Sequence, residues 1–135
     1  MVWVSVAVLV VLALCVVGWI YFFGTGEKVV EEIGYSSVGV EEAVGLIEGG
    51  AVIIDVSENY SLGRIPDAIW YNYYDGTLGW SVSFLNADNT YLIYSRDEES
   101  SRSAVNRLVG AGFVNVYRLD GGFRAWELAE LEVEF

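Results

Sequence analysis

The chain has 135 residues, with 7 basic side chains, 19 acidic ones and no histidine, giving a formal net charge of −12 at pH 7. That charge excludes DNA and RNA as partners, because phosphates are repelled, and it disfavours docking on anionic lipid headgroups. Without histidine the commonest general base is missing, and with Cys15 as the only cysteine no intramolecular disulfide forms, so cysteine usage does not reveal the compartment.

Every charged residue lies from Glu27 onward. The 22 residues 2–23 are almost wholly apolar, and as a helix they span about 33 Å at 1.5 Å per residue, enough to cross a hydrocarbon core of about 30 Å. Trp3, Trp19 and Tyr21 fall near the two ends, where aromatic rings favour the headgroup region. Residues 1–26 therefore read as a single-pass transmembrane anchor, placing the protein in a membrane. A cleaved signal peptide ending near Gly24 and Gly26 is the competing reading; against it stand the missing positive n-region and an apolar run longer than about 7–15 residues. Lys28 is the only basic residue nearby, so orientation stays open. Cys15 lies deep in the run, with Leu14 where a lipoprotein signal has a small residue, and reads as packed or lipid-facing, not acylated.

Residues 27–34 form a tether, and residues 35–135 are long enough for one domain with its own core. Residues 40–48 predict a helix: Val40, Ala43, Val44 and Ile47 make an apolar stripe, Glu41, Glu42 and Glu48 face away, and Gly49-Gly50 stops it. Residues 51–56 (AVIIDV) suit a strand buried on both faces. After a turn at GRIPD, residues 68–71 predict a short strand, and 78–85 are ambiguous but mildly helical. Residues 91–94 predict another buried strand, 101–109 a helix closed by Gly110 and Gly112, 114–118 a strand, and 123–128 a last helix. Strands alternating with helices indicate an α/β fold with a parallel sheet covered on both faces.

Three stretches occur in order: VEEAVGLIEGGAVIIDV with GRIPDA after it, then YLIYSRDEESSRSAV, then VYRLDGGFRAW. Over residues 35–130 this series resembles the rhodanese-like domain. The resemblance implies a central parallel sheet with helices on both faces. It also implies a site, because in that family a cysteine follows the apolar strand, carries sulfur as a persulfide, and sits in a loop of inward amides before a helix.

Here the corresponding position is Ser95. A hydroxyl has no accessible anion at neutral pH without a base, and oxygen carries no persulfide. Family members usually place an arginine five residues after the cysteine, as in CRSGNRS, whereas Arg102 comes seven after Ser95. The loop of Ser95, Arg96, Asp97, Glu98, Glu99, Ser100, Ser101 and Arg102 therefore reads as longer and acidic, with three carboxylates where an anion would sit. A register anchored on Arg102 puts Asp97 in the cysteine position, and a carboxylate cannot carry transferable sulfur either.

Other motif positions carry structural expectations. Asp55 reads as a strand-end acid satisfying loop amides, with Ser57 where an arginine often stands. Arg64 replaces the usual histidine of the turn and reads as a local ion-pair partner, and Asp67 replaces its second glycine. Asp120, Gly121 and Gly122 shape a turn, and Trp126 packs in the core. The cluster WYNYYDGTLGW, residues 70–80, reads either as packing on the core or sheet edge, or as a surface for a membrane or partner. The sequence thus points to a membrane-anchored, catalytically inactive rhodanese-like domain acting as a binding or scaffolding module for an unidentified protein partner. No metal or cofactor site is expected. The alternative is a sulfurtransferase-related or oxyanion-handling enzyme that uses residues 95–102.

Overall fold

The computed structural model describes residues 34–135. The expected anchor over residues 1–26 and the tether up to residue 33 lie outside the described residues. Among the described residues no helix is long and apolar enough to cross a membrane.

Five strands and four α-helices follow in the order β1 (Ser36–Val38), α1 (Val40–Glu48), β2 (Val52–Asp55), β3 (Ile69–Trp70), α2 (Thr77–Ser81), a 3-10 turn (Val82–Phe84), β4 (Thr90–Tyr94), α3 (Glu98–Gly110), β5 (Asn115–Leu119) and α4 (Gly122–Leu128). The sheet runs β1-β5-β4-β2-β3, and every neighbouring pair is parallel. Register places Asp55 beside Tyr94 and Ile93 beside Arg118, so β2, β4 and β5 end together. Ligands of open α/β sheets bind at such carboxyl ends.

The central strands lack polar alternation because both their faces are buried. Ile54, Tyr91, Ile93 and Val116 pack with Leu78 of α2 and Ala104, Val105 and Leu108 of α3 on one face. Ile53, Leu92, Tyr94 and Leu119 pack with Ala43 of α1 and Phe123 and Trp126 of α4 on the other.

Two elements depart from the sequence expectation. Strand β1, absent from the predicted elements, pairs with β5 at the sheet edge; two of its three residues are exposed serines, which leaves no hydrophobic pattern to read. Helix α3 begins at Glu98, three residues before the predicted start. Asp97 is its N-cap and accepts from the Ser100 N–H, and Glu98 and Glu99 occupy its first turn, where negative charge complements the helix dipole. The connection from β4 to α3 is therefore only Ser95, Arg96 and Asp97. Residues that read as a lengthened acidic loop are mostly helix.

Candidate functional site

Ser95 follows β4 directly and is only 1% exposed. Its hydroxyl donates to the Asp97 carbonyl. Its own carbonyl accepts from the Phe123 N–H at 3.0 Å, which brings the start of α4 against the loop. This approach requires glycine at 122: φ there is +57°, and a Cβ would run into the Ser95 carbonyl oxygen. Gly121 is also left-handed, at φ +74°.

The amide end of α3 is capped from within. The Asp97 carboxylate accepts from the Ser100 N–H at 2.7 Å and from the Ser100 hydroxyl at 2.7 Å. That hydroxyl is also bonded to the Tyr74 hydroxyl at 2.9 Å. Ser101 turns its hydroxyl back to the Glu98 carbonyl at 3.0 Å. The chain's own Asp97 carboxylate thus caps this helix terminus.

Both arginines of the segment have partners in the protein. Arg96 donates to the Gly63 carbonyl at 2.9 Å and lies 4.3 Å over the Phe123 ring, while its N–H donates to the Ser57 hydroxyl at 3.0 Å. Arg102 pairs with Glu98 at 3.8 Å and is more than half exposed. Glu98 also reaches Arg118 at 2.6 Å. Arg118, on β5 and almost wholly buried, completes its contacts with Ser37 at 3.2 Å and Asp120 at 3.3 Å. One guanidinium therefore ties β1, α3 and the turn before α4 together. Glu99 is exposed.

At the end of β2 the buried Asp55 carboxylate accepts from the Ser57 N–H at 2.8 Å. Beside it Tyr94 accepts from the Ile65 N–H at 3.0 Å. Burial, and next the Asp55 charge, raise the Tyr94 hydroxyl far above the ordinary tyrosine range. Arg64 pairs with Glu134 at 3.3 Å, and the two residues form an antiparallel bridge that folds the C-terminal tail over the turn. The Asp67 N–H and Arg64 together hold the Glu134 carboxyl below its ordinary range. Trp126 is buried and its indole N–H donates to the Glu132 carbonyl at 2.8 Å.

The aromatic cluster divides. Tyr71 and Tyr73 pack on the core, and Trp70 donates to the Ser57 carbonyl at 2.8 Å. Tyr74 and Trp80 are exposed, Trp80 against Phe84 with ring centroids 4.6 Å apart.

The model of the rhodanese-like domain matches residues 39–129. The chain belongs to the rhodanese-like family. Among curated relatives, the thiosulfate sulfurtransferase GlpE of Pseudomonas savastanoi pv. phaseolicola is 31% identical over 94 residues, covering 68% of this chain and 87% of that protein. The GlpE of Pseudomonas syringae pv. syringae matches to the same extent. The solution structure of the rhodanese-like domain of Alr3790 from Anabaena sp. superposes with a TM-score of 0.64 at 26% identity, over 73% of this chain and 77% of that one. A rhodanese-related protein from Thermoplasma volcanium shares the fold, with a TM-score of 0.64 at 24% identity over 74% and 98% of the two chains.

In this rhodanese-like domain the family motifs converge on one place, the carboxyl ends of β2, β4 and β5. Asp55, Ser95, Asp97 and Gly122 meet there, whereas Arg64 and Trp126 serve the tail and the core. Sequence reasoning missed Arg118 and Phe123, and gave Ser57 and Tyr74 no contact with the loop. Arg118 carried a signal, since a charge inside an apolar strand must find partners. The contacts of Ser57, Tyr74 and Phe123 with the loop join residues distant in the chain and carried no signal. Among the described residues no group of three or more potential ligands gathers to hold a metal ion.

Proposed function

We propose that this protein is a membrane-anchored rhodanese-like domain without sulfurtransferase activity that serves as a binding or scaffolding module. The carrying observation is the Asp97 carboxylate seated on the Ser100 amide in the first turn of α3, beside a residue 95 that is a buried serine. A transferable sulfur needs a thiolate, and residues 27–135 contain no thiol. A serine nucleophile needs a base. The chain has no histidine, and the Ser95 hydroxyl donates to a backbone carbonyl. The apolar residues 2–23 hold the domain to a bilayer, since a surface of this charge gains nothing from anionic headgroups.

Thiosulfate:cyanide sulfurtransferase activity of the full chain in nonionic detergent tests the reading, with a thiosulfate sulfurtransferase as positive control. The expected rate equals that of the buffer. Turnover above buffer overturns the proposal, and turnover surviving Ser95→Ala would locate the chemistry away from residue 95.

A further inference from the structure

Away from the loop, a groove of about 280 Å³ lies between α1 and α4. Val44 and Ile47 of α1, Ile65 and Pro66 of the turn, and Trp126 with Leu131 beyond α4 give it an apolar floor. The bond from the Trp126 indole to the Glu132 carbonyl fixes the wall. Its volume falls just below the range of about 300–1,000 Å³ typical of small-molecule sites, which suits one or two apolar side chains better than a cofactor.

The charged lining is of one sign. Glu48, Asp67 and Glu132 stand at the rim and no basic residue joins them. All three side chains are exposed. Asp67 holds its place at φ +65°, a conformation glycine adopts freely and aspartate tolerates at some cost. An apolar floor ringed by carboxylates complements an apolar anchor flanked by cations, because charge complementarity governs steering and specificity.

We propose that this groove binds a basic-apolar peptide segment, one that inserts a leucine-sized side chain between α1 and α4 and sets lysine or arginine against Glu48, Asp67 and Glu132. The proposal rests on the binding-module reading and supplies its partner class. The two fail separately: sulfurtransferase turnover would remove the module reading, whereas a silent groove would remove this inference alone.

The test follows backbone amide shifts of the full chain in nonionic micelles on addition of the capped peptide Arg-Arg-Leu-Leu-Arg-Arg. Glu-Glu-Leu-Leu-Glu-Glu and Arg-Arg-Gly-Gly-Arg-Arg are the controls. Saturable shifts at Val44, Ile47 and Leu131 are expected with the first peptide alone. Combining Glu48→Gln, Asp67→Gly and Glu132→Gln should weaken that binding by about tenfold. All three changes are on the surface and Asp67→Gly relieves a left-handed residue, so a Tm no lower than that of the parent chain will confirm the fold. Shifts elsewhere, no shifts, equal binding of either control, or binding indifferent to the triple variant would each overturn the proposal.

Discussion

Placing a cysteine at position 95 asks whether the β4–α3 connection still works as an anion cradle. The variant is Ser95→Cys in a Cys15→Ser background, so that the new thiol is the only one. The native hydroxyl donates to the Asp97 carbonyl, and a thiolate there would face an acceptor with no proton to offer. The first-turn amide that would stabilise it already serves the Asp97 carboxylate at 2.7 Å. Both features favour the neutral thiol. An unperturbed thiol with pKa about 8.5 is about 3% thiolate at pH 7. A working helix-terminus site brings cysteine to about 3.5–7.5, at least roughly 25% thiolate. The two accounts thus differ about eightfold or more at neutral pH. Thiolate absorbance followed against pH reads the difference directly. The single variant should titrate at or above about 8.5, and adding Asp97→Gly, which costs only a few tenths of a kcal/mol at an N-cap, should lower it. A single variant that titrates below about 7.5 and loads persulfide from thiosulfate would refute the idea of an internally filled cradle.

Three further outcomes are expected. Tyr94 keeps its proton in the fold after the unfolded chain has lost it, so this contribution is whole below pH about 10 and falls by about 1.4 kcal/mol per pH unit above it. Tyr94→Phe should flatten that alkaline limb in urea titrations while costing about 1–3 kcal/mol at neutral pH by stranding the Ile65 N–H; an unchanged slope would contradict the assignment. Gly122→Ala drives a methyl into the Ser95 carbonyl at a left-handed residue and should cost about 1–3 kcal/mol, so an unchanged unfolding midpoint would contradict it. Glu98→Ala removes the nearest carboxylate from the buried Arg118 and should destabilise by up to about 3–5 kcal/mol, softened by Asp120. Exposed Glu99→Ala should stay within about 0.5 kcal/mol, and equal effects from the two would count against the Arg118 clamp.

The parts of the fold legible in the sequence were those whose cause is local. The stripe from Val40 to Ile47 with Gly49-Gly50 behind it marks α1 to the residue, because amphipathic period and stop signal coincide. The runs VIID and YLIY mark central strands by lacking alternation. The start of α3 was written in the sequence yet misread. An aspartate followed by two glutamates is a helix N-terminus signature, but beside a motif known for binding anions the same acids read as loop charge. What stayed illegible depends on distance along the chain. Arg118 meets Glu98 across 20 residues and Ser37 across 81, and Arg96 meets Gly63 across 33. No periodicity encodes such pairs.

Those same contacts bear on where a partner would approach. Arg96 and Arg118 are committed at the carboxyl ends of the strands, Arg102 joins Glu98, Arg64 joins Glu134, and Arg107 lies over the Tyr73 ring. These five arginines have partners in the protein, and the sixth, Arg124, is exposed on α4 outside the lining of the groove. Of the exposed glutamates on and beyond these helices, Glu48 and Glu132 line the groove, and among the described residues neither forms an ion pair. Fields of one sign over an apolar cleft concentrate ligands of the opposite sign. The Asp97 cap of α3 and a groove lined by carboxylates without a basic residue both follow from where the chain places its acidic side chains. The first supports the proposal of a loop that takes up no anion, and the second supports the proposal of a cationic partner in the groove between α1 and α4.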